Sequence, residues 1–222
     1  MISETLEYVS QGLDLSQIHA QQVMNAIMEG EWTASQIAGL LIGLKIKGES
    51  VGEVTGFVQA MRGKAVKLDM AGQTVDTCGT GGDGHHTFNI STASAFVAAA
   101  AGVPIAKHGN RSVSSKCGSA DVLQELGVKI DMTPGDAQTC FNELGMAFLF
   151  APVYHASMKH AVAPRRELGV RTVFNMLGPM SNPAMSRRQV VGTFNRDAAD
   201  KIVRGLQNTG SEHVMVVHSA DG

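Results

Sequence analysis

The hydrophobic pattern of this chain changes once, near Gln73, and that change limits the folds it can adopt. Before it, from residue 1 to about 70, apolar residues recur at helical spacing and no strand is indicated. After it, short apolar runs alternate with helical segments, a pattern that predicts βαβ units and a parallel sheet. The chain is therefore predicted to be α/β, with a small all-helical N-terminal domain at 1–70 and a larger α/β domain with a mostly parallel central sheet at 71–222.

Start and stop signals divide the N-terminal part into short helices. Ser16 is a candidate N-cap for a helix that ends at Gly30. Thr33 and Ser50 each stand three residues before a Gln or Glu, which is the spacing of a capping box. Short helices with tight glycine ends predict a small bundle, whose apolar faces pack internally or against a second copy of the chain.

The remainder contains the predicted sheet. Strands are predicted at residues 74–78, 104–107, 146–150, 190–194 and 214–217. Helices are predicted at 91–101 and 121–126, from Thr133 to Gly145, and after Asn195. The run 214–217 is expected to be a buried parallel strand, which needs cover on both faces and often a further neighbour. Since the chain ends four or five residues later, it is expected to leave apolar surface or an unpaired edge exposed. Ligands of such sheets bind beyond the carboxyl ends of the strands, so the loops there are the candidate site.

Composition excludes several classes of function. The 222 residues are 44% hydrophobic and 17% charged, which allows a sizeable core. A formal net charge of −2 argues against a nucleic-acid binder that relies on overall positive charge. The three cysteines form no CxxC pair, so neither a zinc ribbon nor a disulfide framework is indicated. Without a membrane-spanning run or a signal-like start, the protein is expected to be cytoplasmic.

A glycine-rich turn follows the first predicted strand, with the sequence Gly79-Thr80-Gly81-Gly82-Asp83-Gly84. Glycines let backbone N–H groups close around phosphate oxygens without interference from side chains. The next helix begins at Asn89-Ile90-Ser91-Thr92, where free N–H groups and the helix dipole favour an anion. A glycine turn alone is more often a tight strand-to-helix connection. Together with the polar helix start, it favours a phosphate site.

A basic loop follows the second predicted strand, with the sequence Lys107-His108-Gly109-Asn110-Arg111-Ser112-Val113-Ser114-Ser115-Lys116. Its position predicts that it meets the glycine turn at one edge of the sheet. Lysine and arginine neutralise the charges of a pyrophosphate, and hydroxyls and backbone amides orient its oxygens. Asn110 offers a donor and an acceptor to a second substrate, and His108 offers an aromatic face.

Together these two runs resemble the segments of the anthranilate phosphoribosyltransferases that bind phosphoribosyl pyrophosphate (PRPP). A third run, Arg165-Arg166-Glu167-Leu168-Gly169-Val170-Arg171-Thr172-Val173-Phe174-Asn175, followed by Gly178-Pro179 and Asn182-Pro183, is similar to that family's third segment. The resemblance spans essentially the whole chain. It implies transfer of the phosphoribosyl group of PRPP to the amine of anthranilate. The products would be pyrophosphate and N-(5-phosphoribosyl)anthranilate, in tryptophan biosynthesis.

The same resemblance assigns site residues. It implies PRPP contacts from Gly79, Gly82, Asp83, Thr87, Asn89, Ile90, Ser91, Thr92, Lys107, His108, Gly109, Asn110, Arg111, Ser112, Val113, Ser114, Ser115 and Ser119. It implies Mg²⁺ as the cofactor, with Ser91 among its ligands. It implies anthranilate contacts from Gly79, His108, Asn110 and Arg165. Arg166 stays open as an alternative to Arg165 for this contact. The non-functional alternative for Arg165 is a surface salt bridge with Glu167. No general base is assigned, because the anthranilate amine is already nucleophilic near pH 7.

The resemblance also implies an arrangement of domains. PRPP would lie in the cleft between them, part of 165–185 would join the helical domain, and two copies would pair through their helical domains. An acidic stretch that holds magnesium in the family would follow Gly222, so the chain is expected to be truncated and inactive alone. The alternatives are a pyrimidine nucleoside phosphorylase and a non-catalytic paralogue that binds nucleic acid. Neither nucleic acid nor a membrane is expected as a partner.

Overall fold

A computed structural model describes residues 2–70, 73–81, 88–112 and 117–219 of the protein. The helical part consists of α1 (Ile2–Ser10), α2 (Gln17–Glu29), α3 (Ala34–Lys47) and α4 (Val51–Lys64). The part that follows consists of β1 (Val75–Gly79), α5 (Ile90–Ala100), β2 (Ile105–Gly109), α6 (Ser119–Glu125), α7 (Pro134–Leu144), β3 (Met146–Phe150), α8 (Ala151–Tyr154), a 3₁₀ turn (Ala156–Met158), α9 (Lys159–Leu168), α10 (Phe174–Leu177), β4 (Arg188–Gly192), α11 (Arg196–Asn208) and β5 (His213–Val217). This order confirms the predicted fold class.

Local capping explains where the first helices begin and end. The Ser16 hydroxyl accepts the His19 N–H at 3.2 Å, which satisfies one free donor at the start of α2. Gly30 ends this helix in the left-handed region, at φ 80°. Thr33 and Ser50 form complete capping boxes at the starts of α3 and α4. The predicted start and stop signals are therefore confirmed.

The five strands form one parallel sheet in the order β3-β2-β1-β4-β5. The chain passes outward from β1 through β2 to β3, and then returns to place β4 on the other side of β1. This reversal of direction makes a topological switch point between β1 and β4, where open α/β sheets bind their ligands. The glycine-rich turn leaves the sheet at that point, directly after Gly79.

One sequence prediction about the strands needs correction. β4 runs from Arg188 to Gly192, two residues earlier at each end than the predicted 190–194, because the strand includes the buried polar side chain of Gln189, which an apolar pattern does not reveal. The predicted parallel strand at 214–217 is present as β5. It is an edge strand of the described sheet, with Met215 54% and Val217 44% exposed, which agrees with the expectation of an unpaired edge and exposed apolar surface.

One large apolar cluster joins the helical part to the sheet. Its members come from α2, α3 and α4, from β4 and α11, and from the segment that contains Phe174, Leu177 and Met180. Helix α9 packs against α2 and α3, and α10 packs against α4. These contacts support the predicted return of 165–185 to the helical domain, although the domain boundary itself stays a prediction. Among the described helices, none is long and apolar enough to cross a membrane.

Candidate active site

A cleft of about 1390 Å³ lies at the carboxyl end of the sheet, at the switch point between β1 and β4. One wall is formed by the ends of β1 and β2 and by the start of α5, and the facing wall by α9 and the segment around Phe174. Gly79 is the last residue of β1, and an added Cβ there would lie 3.3 Å from the Gly192 carbonyl oxygen of β4. Glycine therefore keeps the two strands close where the cleft begins.

The start of α5 presents polar atoms to the cleft. Asn89 is the N-cap, and its Oδ1 accepts the Thr92 N–H and the Ser91 hydroxyl, both at 3.1 Å. The backbone carbonyl of Ser91 accepts the Thr77 hydroxyl at 2.8 Å, which ties the helix to β1. Free N–H groups and the positive end of the dipole at this terminus favour a bound anion. The predicted phosphate-binding helix start is therefore present as a structural feature.

Lys107 of β2 supplies a fully buried cation at the base of this wall, with 0% of the residue exposed. Its Nζ donates to the Thr77 backbone carbonyl and, at 3.2 Å, to the Ser91 Oγ. The Lys107 ammonium thus lies beside the start of α5, and its third N–H remains available to a ligand. An ammonium in this place can neutralise a phosphate at the helix terminus.

Asp76 lies in the same buried layer, one residue before Thr77. Its Oδ1 accepts the His108 backbone N–H at 3.2 Å, and its Oδ2 accepts Nε2 of Gln189 at 3.4 Å. Burial raises the pKa of Asp76, and the charge of Lys107 opposes that shift. Burial lowers the pKa of Lys107, and the charge of Asp76 opposes it in turn. Each charge therefore makes the other less unfavourable in the interior.

His108 and His155 form a neutral pair in the cleft wall, with ring centroids 5.2 Å apart. Burial, reinforced by His155 and Lys107, lowers the pKa of His108 to about 3. The ring hydrogen-bonds the backbone of Gly178, and Nε2 has no partner among the described residues. A neutral ring that donates through one nitrogen keeps an acceptor on the other, so His108 offers an acceptor and an apolar face to a ligand.

The first part of the basic loop is held by α6. The Asp121 carboxylate accepts the backbone N–H of Ser112 at 3.0 Å and that of Gly118 at 2.8 Å. It also pairs with Arg111 at 3.1 Å, so that guanidinium is already partly neutralised. A Cβ on Gly118 would lie 2.4 Å from the Ser112 backbone nitrogen, so only glycine allows the two loop segments to approach this closely.

Arg165 and Arg166 are adjacent on α9 but have different surroundings. Arg165 lines the cleft and stacks on the Phe174 ring, with 4.7 Å from its Cζ to the ring centroid. Partial burial lowers its pKa. Among the described residues it forms no ion pair, including none with Glu167. Arg166 is exposed and does not line the cleft. Of these two, Arg165 is therefore the arginine that a ligand in the cleft can reach.

The structure brings most of the predicted residues that it describes to one cleft. Its lining includes Gly79, Asn89, Ile90, Ser91, Lys107, His108, Gly109, Asn110, Arg111, Ser112, Ser119 and Arg165. Thr92 does not line the cleft: it is 3% exposed, and its backbone N–H donates to the N-cap Asn89. The predictions on Gly82, Asp83, Thr87, Val113, Ser114 and Ser115 fall outside the described residues.

Sequence reasoning missed several residues of the site. Thr77 and His155 line the cleft, and Asp76 and Gln189 lie beneath its base. A usable signal existed for Asp76, since a charged residue inside an otherwise apolar strand requires a buried partner. His155 and Gln189 carried no such signal, because their contacts join segments that are distant in sequence.

Ser91 is the residue of this wall best suited to a hard cation. Its hydroxyl accepts from Lys107 and donates to Asn89, which leaves one lone pair free. Within the described part of the chain, no three His, Cys, Asp or Glu side chains are grouped to hold a metal. A cation here would therefore complete its shell with water and substrate oxygens, which Mg²⁺ commonly retains.

Comparison with known proteins identifies this architecture. A model of the glycosyl transferase family a/b domain matches residues 71–222, and that of the family's helical bundle domain matches residues 3–65. This chain belongs to the glycosyl transferase family. Within the family, it is 52% identical over its whole length to the anthranilate phosphoribosyltransferase of Desulforamulus reducens, of which it spans 65%. The chain thus covers about two thirds of the length of that relative.

Solved structures of the glycosyl transferase family share the fold. The anthranilate phosphoribosyltransferase of Thermus thermophilus superposes with a TM-score of 0.90 at 42% identity, covering 98% of this chain and 67% of that one. That of Saccharomyces cerevisiae in complex with PRPP and Mg has a TM-score of 0.87 at 26% identity, covering 99% of this chain and 67% of that one. The helical layer and the parallel sheet are therefore arranged as in these enzymes.

Proposed function

We propose that this glycosyl transferase family chain carries the substrate site of an anthranilate phosphoribosyltransferase. One observation carries the proposal: Lys107 and Ser91 line one wall of the cleft, and Arg165 lines it from α9. The wall that contains Lys107 and Ser91 suits a diphosphate, and the wall that contains Arg165 suits a carboxylate. A reaction between PRPP and anthranilate needs both anions bound at once, with the ribose between them.

The wall at β1 and β2 would bind the leaving group. Cleavage at ribose C1 builds positive charge on the sugar and negative charge on the departing pyrophosphate. The Lys107 ammonium and the free N–H groups of α5 would stabilise that negative charge, because both are held in place before the reaction. Preorganised donors do not have to reorient during the reaction, so their stabilisation favours the transition state.

Magnesium is the cofactor that this wall would hold. The Ser91 hydroxyl has a free lone pair, and the Saccharomyces cerevisiae relative has been solved with PRPP and Mg. Bound there, Mg²⁺ would supply positive charge to the diphosphate oxygens. The residues of this chain would then fix the diphosphate relative to the ribose.

The other wall would orient the acceptor. Arg165 presents a planar guanidinium that matches a carboxylate with two parallel hydrogen bonds, and Phe174 holds that plane by stacking. The free Nε2 of His108 would accept from the anthranilate amine, and Asn110 and Gly79 would contact the same substrate. The amine of anthranilate is already neutral at pH 7, so its orientation matters more than its deprotonation, and no general base is required.

The wider assignments belong to the same proposal. The remaining PRPP contacts would come from the residues of the glycine turn, helix start and basic loop named above. Two copies would pair through the helical domains, and the enzyme would work in the cytoplasm. Exposed apolar residues on the helical part, Ile18 at 69% and Ile46 at 80%, would suit such a pairing.

Calorimetric titration tests the proposal. We expect the protein to bind PRPP only weakly without magnesium and at least about tenfold more tightly with it. Ser91→Ala should weaken PRPP binding more with magnesium than without it, because the lost metal contact, at about 1.5–3 kcal/mol for a charged contact, adds to the loss of the hydroxyl's own hydrogen bonds. Equal magnesium dependence in Ser91→Ala and the parent would contradict the metal assignment.

The same titration separates the alternatives. A pyrimidine nucleoside phosphorylase would bind a pyrimidine nucleoside with inorganic phosphate and would show no preference for PRPP. A nucleic-acid-binding paralogue would retain DNA or RNA at moderate salt, with an affinity that falls steeply as salt rises. Either result, without PRPP binding, would overturn the proposed function.

A further inference from the structure

Asp76 is a fully buried carboxylate that the proposed reaction does not use. It lies one layer below the cleft, of which it is not a lining residue. Its two oxygens accept from the His108 backbone N–H and from the Gln189 side chain. Gln189 in turn donates to the Pro179 carbonyl at 2.8 Å. Asp76 thus connects β1 with β2 and, through Gln189 of β4, with Pro179, which lines the cleft.

Lys107 is the opposite charge that can compensate the carboxylate of Asp76. Lys107 is also fully buried, and its ammonium contacts a backbone carbonyl and the Ser91 hydroxyl, both uncharged. Asp76 is connected to it through the backbone on both sides, since it precedes Thr77, whose carbonyl accepts from the ammonium, and accepts from the N–H of His108, which follows Lys107. A buried charge is costly unless it is compensated, so removing either group should leave the other in an unfavourable place.

We propose, on the basis of the function proposed above, that Asp76 is a positioning residue for Lys107. Its carboxylate holds the β2 backbone at His108 and compensates the ammonium, so that Lys107 stays buried beside Ser91 where a diphosphate would bind. Asp76 touches neither substrate. If the role of Asp76 were purely structural, Asp76→Asn would lower the stability of the protein, but it would not change the affinity for the diphosphate when Lys107 is present.

A double-mutant cycle distinguishes these roles, since it isolates the coupling between two residues. The variants are Asp76→Asn, Lys107→Met and the two combined. Thr74→Val serves as the control, because Thr74 is a buried residue just before the same strand, hydrogen-bonded to Ser186 at 2.7 Å and outside the cleft. PRPP affinity with magnesium is measured by calorimetry, and unfolding by urea.

We expect Asp76→Asn to weaken PRPP binding at least about tenfold in the parent, equivalent to about 1.4 kcal/mol. In the Lys107→Met background the same change should weaken it less than about threefold. Thr74→Val should bind as the parent does. Urea unfolding should show Asp76→Asn as more destabilising when Lys107 is present than when it is absent.

The opposite results overturn the inference. If Asp76→Asn costs the same affinity in both backgrounds, Asp76 does not act through Lys107. If the parent and Asp76→Asn bind PRPP with equal affinity, only the positioning role fails. If the parent does not bind PRPP, the proposed function fails, and the positioning role fails with it. If Asp76→Asn alone does not fold, folding of the double variant supports the pairing, and its failure to fold refutes it.

Discussion

Arg165 and Arg166 show how much depends on the direction of a single side chain. Both follow Pro164 on α9, but only Arg165 stacks on Phe174 and lines the cleft. A sequence pattern of two adjacent arginines does not separate them. The orientation of α9 about its axis does separate them, because the side chains of successive helical residues project about 100° apart around that axis.

On the function proposed above, we predict that Arg165→Ala, made in a form of the protein that has transferase activity, raises the KM for anthranilate about tenfold or more. Loss of a charged hydrogen-bond partner costs about 1.5–3 kcal/mol. The KM for PRPP should change much less, because Arg165 lies on the other wall. Steady-state kinetics with each substrate varied in turn provides the measurement.

Arg166→Ala is the matched control for this prediction, since it removes the same charge from the neighbouring, exposed position. It should leave both KM values within about twofold, because surface charges contribute little. A larger effect on the KM for PRPP in Arg165→Ala, or an equal effect in the two variants, would reassign the anthranilate contact.

At the scale of the element, two of the three glycines of helix α4, Gly56 and Gly63, have opposite requirements. A Cβ on Gly56 would lie 2.2 Å from the Gln17 carbonyl oxygen of α2 and 3.0 Å from the Ala20 Cβ. A Cβ on Gly63, in the last turn, would meet nothing within 4 Å. The first glycine allows two helices to cross closely, and the second only adds conformational freedom to the unfolded chain.

We predict opposite signs for two identical substitutions. Gly56→Ala should destabilise the protein by about 1–3 kcal/mol or more, because backbone must move to admit the methyl group. Gly63→Ala should stabilise it by about 0.4–1 kcal/mol, because alanine loses less entropy in a helix. Urea unfolding of the two variants beside the parent tests both. A stabilising Gly56→Ala would mean that α2 and α4 do not cross as described.

At the scale of the whole molecule, buried histidines link stability to pH. Burial lowers the pKa of His108 from 6.5 to about 3, and that of His155 in the same direction. Between pH 6.5 and about 3 the unfolded chain therefore binds a proton at His108 that the folded chain does not. The free energy of unfolding must then fall as pH falls through this window. The contribution of His108 to stability is fully present only above the pKa of this histidine in the unfolded chain.

We predict that acidification from pH 7 to pH 5 removes about 2 kcal/mol of unfolding free energy through His108 alone. The variant His108→Asn should lose that part of the pH dependence, and His213→Asn, at an exposed position on β5, should keep it. Urea unfolding at several pH values provides the measurement. Parallel pH profiles for the parent and His108→Asn would show that the ring is not buried as a neutral group.

Much of the fold was predictable because its signals are local. Ser16, Thr33 and Ser50 begin helices by bonding backbone N–H groups within three residues, and Gly30 ends one through its own φ angle. Alternation of such helices with short apolar runs was enough to predict a parallel sheet. The place of the proposed phosphate site followed from the same sheet, because loops after parallel strands gather at one edge.

The sequence by itself thus determined the elements, the fold class and the two loops of the site. Only the tertiary structure decided the order of the strands, that Arg165 and not Arg166 faces the cleft, and that the buried Asp76 holds the backbone of His108 next to Lys107. The physical reason is the same in each case. Strand order and helix rotation are set by contacts between residues distant in the chain, and the free energy of those contacts exists only once the whole core has packed.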